Sequence, residues 1–374
     1  MVNPFQYGGI VDDESFCNRT QELHDLRRAA ENGDRLLVYA ERRMGKTSLI
    51  KRLLKRLPKS SFIAIYVDLW ATGGSESFAS AIAKATAEAA ETRADKLLET
   101  GKGLFKHLIP SVTIDQAGNP SIEFGARQGL DTVPQIEDAL DAPARLALKR
   151  KKQIVVVYDE IQRIAEYSED TVERVMRSRI QQHQGVSYFF LGSRKHLIRQ
   201  MFTQESRPLC QSAGHYPLST IATAHWIPFI RDRFAGADKP LEDSLIEKLC
   251  ARTEGHPYYT QHLAHDLWEI VLPGHAVLAE DLARAEDTLL QRLGHTYTVL
   301  LERTTENQRK LLRGMSSAVH EARPFTSEFL RKNHLAASSA HRAAEGLLSD
   351  DVIDRENGGF IISDRFFKIW LARL

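Results

Sequence analysis

The sequence is poor in cysteine and has no long hydrophobic run, and these absences exclude several classes of protein. Its three cysteines are Cys17, Cys210 and Cys250, and no two of them have the CxxC spacing. A disulfide framework and a common zinc site are therefore excluded, and a reducing cytoplasm fits best. No apolar run approaches the ~20 residues that span a bilayer, and the N-terminal segment lacks the basic-then-apolar pattern of a signal peptide. We expect a cytoplasmic protein with no membrane partner.

An excess of charge of either sign is also absent. The 50 Lys and Arg residues balance 49 Asp and Glu residues, which leaves a formal net charge of +1. Any basic surface for nucleic acid must therefore be local. Hydrophobic residues make up 43% of the 374 residues and charged residues 26%, as in a globular protein with two or three domains.

Short apolar segments alternate with helical ones through the first half of the chain. This alternation predicts an α/β fold with a parallel sheet covered by helices on both faces. The predicted strands are 36–40, 62–70, 153–159, 186–192 and a short fifth at HYPL. QIVVVYD is apolar almost throughout, which is typical of a strand buried on both faces. SVTIDQAGNPSIEFG alternates around a Gly-Asn-Pro turn and predicts an inserted hairpin.

The pattern becomes wholly helical from residue 222 to about 292 and ends with helices and a hairpin. We therefore predict three domains. The α/β core covers residues 1–220, with the hairpin insertion at about 111–125. A helical domain covers 221–295, and a small domain of helices and a hairpin covers 296–374.

A phosphate-binding loop follows the first predicted strand. A phosphate cradle needs backbone N–H groups at a helix N-terminus, a lysine for the β- and γ-phosphates and a hydroxyl for Mg²⁺. ERRMGKTS has these features between a strand and a helix, with Lys46 as the phosphate lysine and Thr47 as the metal-holding hydroxyl. The predicted nucleotide-binding residues of the loop are Arg43, Met44, Gly45, Lys46, Thr47 and Ser48.

The loop departs from the usual motif at its first position, where Ala40 replaces glycine. If the φ angle of Ala40 is negative, the methyl group costs little, whereas a positive φ would strain the loop by about 1 kcal/mol or more. We expect nucleotide binding to survive this replacement.

Two acidic residues follow the apolar strand VVVY. Hydrolysis needs a carboxylate behind the metal and a group that activates water, and Asp159 and Glu160 are the candidates for these two roles. A strand, 62–70, lies between the two motifs along the chain, and this spacing favours an ATPase of the additional-strand class over a small kinase or GTPase. No NKxD sequence is present, so adenine is the expected base.

Several polar residues compete for a role near the γ-phosphate. Ser193 and Arg194 follow the next strand, and we include both in the catalytic set with Lys46 and Glu160. Ser193 could equally cap the following helix. Arg207 is a candidate arginine finger or a solvated surface arginine, and Arg177 and Arg179 are weaker candidates.

Taken together, NPFQYGGIVDDESFCNR, ERRMGKTSLI, YVDLW, VVVYDEIQRI, FFLGSRKHLIRQMF, GHPYYTQHL and DRFFKIWL resemble the archaeal-type ATPase family. This family belongs among the AAA+-related and STAND P-loop ATPases. The resemblance implies a P-loop ATPase core, a helical lid over 221–295 and a C-terminal winged helix over 296–374, similar in layout to origin-recognition ATPases.

The resemblance also implies a role for residues outside the motifs derived above. It places Phe5, Gly8, Gly9, Ile10 and Val11 near the adenine, with Arg19 buttressing the segment. It places His256 and Pro257 where related proteins have a lid residue that senses the nucleotide. Read alone, EGHPYYTQHL is a helix break followed by an amphipathic helix, with His256 as a loop histidine and Tyr258 and Tyr259 as packing residues. Only the resemblance gives His256 a functional role.

The C-terminal domain has the three helices and two-stranded wing of a winged helix, in which the third helix can enter the major groove of DNA. Ser338, Ser339, His341 and Arg342 open that helix. The wing, DDVIDRENGGF, is acidic, whereas phosphate contact requires cations. Double-stranded DNA and a partner protein therefore both stay open as ligands, and so does self-association.

These features predict a switch protein that binds ATP or ADP with Mg²⁺ and hydrolyses ATP slowly. Lid and winged helix would move with the nucleotide state. Three alternatives stay open: a DNA-binding regulator or mobile-element protein in which ATP gates binding, a signalling or defence ATPase that contacts another protein, and a nucleotide-binding scaffold without turnover.

Overall fold

The structure, a computed structural model, describes residues 2–11, 15–91, 94–114, 120–126, 131–193, 195–318, 321–356 and 358–374. The chain divides into two compact units that alternate along the sequence. Unit 1 comprises Met1–Arg19, Glu41–Ser48 and Ser219–Leu374. Unit 2 comprises Thr20–Ala40 and Leu49–Leu218. The boundaries of the three domains proposed from the sequence stay a prediction.

The regular elements of the described residues are numbered in chain order. The strands are β1 (Arg35–Tyr39), β2 (Phe62–Asp68), β3 (Leu108–Ile114), β4 (Pro120–Ala126), β5 (Gln153–Asp159), β6 (Val186–Gly192), β7 (Gly214–Pro217), β8 (Ile353–Glu356) and β9 (Gly359–Ile362). The helices of the first half are α1 (Thr20–Asn32), α2 (Lys46–Arg56), α3 (Ser75–Ala90), α4 (Ala94–Leu104), α5 (Thr132–Arg150), α6 (Thr171–Ile180) and α7 (Lys195–Thr203). The helices of the second half are α8 (Thr223–Ala235), α9 (Asp243–Thr253), α10 (Pro257–Ile270), α11 (Ala279–Glu302), α12 (Glu306–Ser316), α13 (Ser327–Lys332), α14 (Ala337–Ser349) and α15 (Arg365–Leu371). A 3₁₀ helix, Ile161–Glu166, follows β5.

Unit 2 is built on a five-stranded parallel sheet with the order β2-β5-β6-β1-β7. In register, Val156 of β5 pairs with Ile65 of β2 and with Tyr188 of β6. The two central strands are buried almost completely, because helices cover both faces of a sheet of this kind. The predicted α/β fold with a parallel sheet is confirmed.

The strand that separates the two motif strands in space is β6. It lies between β5, which ends in the acidic pair, and β1, which precedes the phosphate loop. Strand β2, which lies between the two motifs along the chain, is instead an edge strand. Chain order and sheet order differ because parallel strands need crossover connections and need not pair with their neighbours in sequence.

The insertion between β2 and α5 contains two helices and a hairpin. The alanine-rich segment after β2 forms two helices, α3 and α4, and the backbone at Glu91 is extended where α3 ends. Strands β3 and β4 pair antiparallel, as their alternation predicted. Residues 118 and 119 of the predicted turn lie outside the described residues. Phe78 and Ile82 of α3 join Ile122 and Phe124 of β4 in the core of unit 2.

Unit 1 contains the helices that follow the sheet and the C-terminal winged helix. Helices α8 to α11, called the lid helices below after the domain expected there, follow the sheet, and α11 extends past the expected boundary at 295. Helices α12, α13 and α14 precede the antiparallel pair β8–β9. Ala322 adds a bridge to Phe360 of the wing. One apolar core runs through the unit from Phe5 to Leu371. Among the described residues, no helix is long and apolar enough to cross a membrane.

Candidate nucleotide site

The phosphate loop connects the end of β1 to the first residue of α2. Gly45 has a φ of 83° and Arg43 a φ of 60°, so the chain makes two left-handed steps before the helix. Glycine adopts this conformation readily, whereas a residue with a side chain pays roughly 1 kcal/mol for it. Lys46 is the first residue of α2, so the amides around it lie at a helix N-terminus, where phosphate binds.

Ala40 is not the strained residue of this loop. It is absent from the residues with positive φ among those the structure describes, and its side chain is buried. Because the φ of Ala40 is not positive, its methyl group should cost little free energy. The left-handed strain lies three residues later, at Arg43.

Lys46 is buried, with 6% of its surface exposed. Its Nζ donates a hydrogen bond to the carbonyl oxygen of Glu41, at 3.1 Å. Both residues belong to the loop, so this hydrogen bond joins its two ends. Met44 and Ser48 are buried beside it, while Thr47 is half-buried.

An open pocket of about 380 Å³ lies along the N-terminal segment of unit 1. It brings together four residues predicted to lie near the adenine, Phe5, Gly9, Ile10 and Val11, and adds Gln6, Tyr7 and His265 from outside that set. Its volume falls within the range of small-ligand sites. The backbone N–H of Val11 donates to the Ser48 hydroxyl at 3.1 Å, which ties this segment to the phosphate loop.

The lid contributes a buried histidine to the same loop. Gly255 has a φ of 65°, and a Cβ there would lie 2.4 Å from the carbonyl oxygen of Ile221, so only glycine fits. His256 follows at the N-cap of α10, with Pro257 as the first helical residue. Nε2 of His256 lies 3.2 Å from the carbonyl oxygen of Arg42, and an acceptor of this kind requires Nε2 to carry the proton.

Burial, followed by the charge of Arg365, lowers the pKa of His256 well below its usual value, so the imidazole is neutral. Its Nδ1 is buried and has no hydrogen-bond partner among the described residues. His256 therefore donates a hydrogen bond from Nε2 to the backbone of the phosphate loop, and its unprotonated Nδ1 can accept another.

The winged helix contacts the phosphate loop through Arg365, the first residue of α15. Its Nη1 lies 2.7 Å from Oε2 of Glu41, and its Nε lies 2.9 Å from a carboxylate oxygen of Glu254 in the lid. Arg365 and Glu41 are both buried. Arg365 is not among the site residues predicted from the sequence, although the single arginine in the aromatic run DRFFKIWL is a signal that could have identified it. Arg43 also contacts the lid, with its guanidinium 4.3 Å from the centre of the Tyr258 ring.

Unit 2 carries the acidic pair at the end of β5. Asp159 is 6% exposed, and one of its oxygens accepts a hydrogen bond from the hydroxyl of Tyr66 on β2. Its other oxygen accepts from the backbone N–H of Glu160, at 3.0 Å. These contacts orient the carboxylate at the C-terminal end of the sheet, where open α/β sheets bind their ligands.

Glu160 lies in a left-handed conformation, with a φ of 56°, and begins the 3₁₀ helix. Its carboxylate accepts hydrogen bonds from the hydroxyl of Ser193, at 3.2 and 3.4 Å, and from the side-chain amide of Gln162. The structure thus brings Ser193 and Glu160 together. Gln162 was missed, although its position two residues after Glu160 in a turn could have drawn attention to it.

The arginines considered for the γ-phosphate have other contacts in unit 2. Arg207 pairs with Glu173, whose side chain is buried. Arg179 pairs with Asp141, and Arg177 donates to the carbonyl oxygen of Pro208 at 2.7 Å. Arg194 lies outside the described residues.

The side chains predicted to hold the metal offer oxygen donors only, namely the Thr47 hydroxyl and the Asp159 carboxylate. Mg²⁺ prefers oxygen ligands and is commonly held by one or two protein groups together with phosphates and water. Within the described ranges, no cluster of three or more His, Cys, Asp or Glu residues forms a protein cage for an ion. The donor chemistry therefore fits Mg²⁺ that arrives with a nucleotide.

Comparisons with known proteins agree with this architecture. A family model described as "ATPase domain predominantly from Archaea" matches residues 16–263, and one described as "Probable winged helix domain" matches residues 295–373. No curated protein sequence matches the chain significantly.

Among solved structures, a Walker-type ATPase of Pyrococcus abyssi superposes with a TM-score of 0.64 at 14% identity, over 97% of each chain. The ORC2 protein of Aeropyrum pernix superposes with a TM-score of 0.54 at 12% identity, over 98% of this chain and 97% of that one. At such identities the likeness concerns the fold, which is that of P-loop ATPases. Because the first family model spans the phosphate loop, the acidic pair and most of the chain, the protein belongs to the family of ATPase domains found predominantly in Archaea.

Proposed function

We propose that the protein is a nucleotide-controlled switch that binds ATP or ADP with Mg²⁺ and hydrolyses ATP slowly. The observation that carries the proposal is the ion pair between Arg365 of the winged helix and Glu41 of the phosphate loop. The loop, the lid and the winged helix share one compact unit, so a change in the loop has a direct route to the C-terminal domain.

Binding would begin with the phosphate lysine. Lys46 now donates to the Glu41 carbonyl oxygen, and a β- or γ-phosphate oxygen is a stronger acceptor because it is charged. Transfer of the ammonium group to phosphate would release that carbonyl. Glu41 is also the partner of Arg365, so the same residue senses the phosphates and holds the winged helix.

The pocket beside the loop supports an adenine nucleotide as the ligand. It is lined by Phe5, Ile10 and Val11, and Val11 is bonded to the loop through Ser48. The similar ORC2 protein of Aeropyrum pernix was solved in complexes with ADPNP and ADP. Pro257 and His256 would complete the nucleotide contacts from the lid.

Hydrolysis would use the groups at the end of β5. Thr47 and Asp159 would hold Mg²⁺, which supplies charge neutralisation on the phosphates when it is bound. Glu160 would take the proton from the attacking water. Ser193 would keep the Glu160 carboxylate in place. Arg177, Arg179 and Arg207 are each bonded within unit 2, so none of these three stands ready as an arginine finger, and slow turnover is the expected result.

A switch of this kind needs a ligand that binds its two states with different affinities. ATP and ADP differ by the γ-phosphate, so the contacts that distinguish the two nucleotides would be made by Lys46 and the loop around it. The winged helix would then change its exposure to a partner as the loop changes its bonds with Arg365. ATP-dependent self-association would be a further consequence of the same change.

A second candidate is a regulator in which ATP gates DNA binding with little turnover. Arg331, Lys332 and Arg342 are exposed on α13 and α14, the helices that face DNA in reading modules of this type. Filter binding to duplex DNA across a salt series tests this candidate. Phosphate contacts impose a steep decrease of affinity with salt, whereas a protein-contact module has no such slope.

The experiment that tests the main proposal compares wild type with Glu160→Gln. We expect Mg·ATP-dependent phosphate release from wild type and a decrease of about 10²–10⁴-fold in the variant, as for loss of a general base. Binding of a fluorescent ADP should be unchanged in the variant. Unchanged phosphate release would remove Glu160 from the mechanism, and absence of nucleotide binding in wild type at millimolar ATP would overturn the proposal.

A further inference from the structure

We propose that Gln162 is a positioning residue that holds Glu160 in its reactive place, and that Gly192 is present to make room for it. The inference rests on the proposed hydrolysis of ATP. It adds a residue that acts through Glu160, and it assigns a reason to a glycine at the end of β6.

The turn after β5 brings Gln162 back beside Glu160. The left-handed conformation of Glu160 starts the 3₁₀ helix, and the N–H of Arg163 donates to the Glu160 carbonyl oxygen at 2.9 Å. In this tight turn, the amide Nε2 of Gln162 donates to Oε2 of Glu160. Ser193, which follows the end of β6, donates a hydrogen bond from its hydroxyl to the same oxygen, at 3.2 Å. One carboxylate oxygen is therefore held by two donors from two different elements.

Gly192 leaves the space that the amide of Gln162 occupies. A Cβ at position 192 would lie 2.4 Å from Oε1 of Gln162 and 2.2 Å from Cδ1 of Ile198. The φ of Gly192 is not positive, so its backbone could accept any residue. Space is therefore the reason for glycine here, and the side chains that use the space are those of Gln162 and Ile198.

Packing alone does not account for a glutamine at this position. Gln162 is only 2% exposed, and its Oε1 is buried with no hydrogen-bond partner among the residues described. An unpaired buried acceptor lowers stability, and an apolar residue of similar size would avoid that loss. The amide is thus retained for its N–H group, which is the group bonded to Glu160.

A fixed carboxylate is what general-base catalysis needs. The base must lie within hydrogen-bond reach of the water, and small displacements of a catalytic group reduce rate strongly. Without Gln162, Glu160 would keep the Ser193 bond but could rotate about its side-chain torsions. Binding of the nucleotide would not change, because Gln162 is part of unit 2 and has no role in the phosphate loop.

The test uses the full-length chain and compares Gln162→Leu with Gln135→Leu. Gln135 is a matched control because it is also a glutamine of unit 2 that is 2% exposed and has an unpartnered Oε1 among the described residues. For Gln162→Leu we expect kcat for phosphate release to fall about 10–100-fold, with KM for ATP and the affinity for fluorescent ADP within about twofold of wild type. We expect its melting temperature to stay at or above that of wild type.

Two further variants distinguish an effect on Glu160 from a general loss of stability. Gly192→Ala should displace Gln162 and lower kcat in the same direction. In the Glu160→Gln background, Gln162→Leu should cause no additional loss, because its effect acts through Glu160. A loss of kcat that follows a fall in melting temperature, or the same loss in Gln135→Leu, would overturn the inference in favour of a structural role.

The outcomes also separate this inference from the proposed function. Hydrolysis by wild type that Glu160→Gln abolishes and Gln162→Leu leaves intact would overturn the inference alone. No hydrolysis by wild type would overturn both.

Discussion

The phosphate loop of unit 1 and the acidic pair of unit 2 are held by different kinds of contact. In unit 1, the phosphate loop is held by charged and aromatic side chains from distant segments, such as Arg365 and Tyr258. In unit 2, the acidic pair is held by short-range geometry at one end of a parallel sheet, with Tyr66 and Ser193 as hydrogen-bond donors. Under the proposed function, unit 1 would carry nucleotide binding and coupling, and unit 2 would carry the chemistry.

This division has a physical basis. Long-range ion pairs can be remade when a ligand adds charge, and such bonds suit a region that changes with the nucleotide. A carboxylate that activates water must stay in one place, and strand ends in a buried sheet provide that rigidity. Variants in unit 1 should therefore alter affinity and coupling, and variants in unit 2 should alter turnover. Four variants test that separation, beginning with the one whose loss should be greatest.

Arg365→Met should have the largest effect on unit 1. It removes a buried cationic partner of Glu41, and loss of one partner of a buried ion pair costs about 3–5 kcal/mol of unfolding free energy. Urea unfolding measures this change. Lys368→Met is the matched control, because Lys368 contacts only the more exposed Glu254 in this network, at 2.8 Å, and should cost less than about 1 kcal/mol. Equal losses in both variants would contradict a special role of the buried pair.

Lys46→Ala should weaken nucleotide binding while leaving the fold of both units intact. A charge-assisted contact to phosphate contributes about 1.5–3 kcal/mol, so affinity for ADP should fall roughly 10–150-fold. Calorimetry with Mg·ADP measures the change. Lys55→Ala, on the same helix and exposed, should bind as wild type does. Tight binding by Lys46→Ala would place the phosphates elsewhere.

Acid should destabilise unit 1 through its buried histidines. Burial, opposed by Asp266 and reinforced by Arg292, lowers the pKa of His262 to about 4. As pH falls below about 6.5, His262 becomes protonated in the unfolded chain but stays neutral in the folded chain. The free energy of unfolding therefore decreases as pH falls from about 6.5 towards 4. At pH 5 the loss from this group is about 2 kcal/mol.

Thermal unfolding of His262→Gln and wild type at pH 7 and pH 5 measures this effect. The variant should lose less stability in acid than wild type does. His24→Gln is the control, because this side chain is 71% exposed. An identical pH dependence of wild type and His262→Gln would exclude His262 as the source. His256, whose pKa is also lowered by burial, should contribute in the same direction.

Ala40→Gly should have the smallest effect. The φ of Ala40 is not positive, so glycine relieves no strain there, and the affinity for ADP should change by less than about threefold. Glycine adds freedom to the unfolded chain, so stability should fall by about 0.4–1 kcal/mol. Titration with fluorescent ADP and urea unfolding measure these two quantities. A tenfold gain in affinity would show that the methyl group obstructs the loop.

Much of the fold could be read from the chain because it is written in local patterns. The apolar runs of β5 and β6 predicted their buried strands, and those bounds agree with the structure. The motif GKTS predicted the loop and the helix after it. The spatial position of β6 between the motif strands could not be read, because pairing of parallel strands is decided by packing and not by chain order.

The residues of the candidate site also divide into those that the sequence predicts and those that only the structure identifies. Lys46, Thr47, Asp159 and Glu160 follow from motifs, since each role demands one residue type at one spacing. Arg365 and Gln162 do not belong to such a motif, and their partners are identified only when the chain is folded. Whether Ala40 matters depended on a single backbone angle that its neighbours in sequence do not fix.

Local patterns in the chain predict an α/β ATPase fold with a phosphate loop, an acidic strand end and a winged helix, because periodicity and motif chemistry act over a few residues. The tertiary structure alone decided that the loop is bonded to the lid and the winged helix, and that Gln162 and Ser193 hold Glu160. These contacts join residues far apart in the chain or brought together by a tight turn, and only the packed core sets the distances between them.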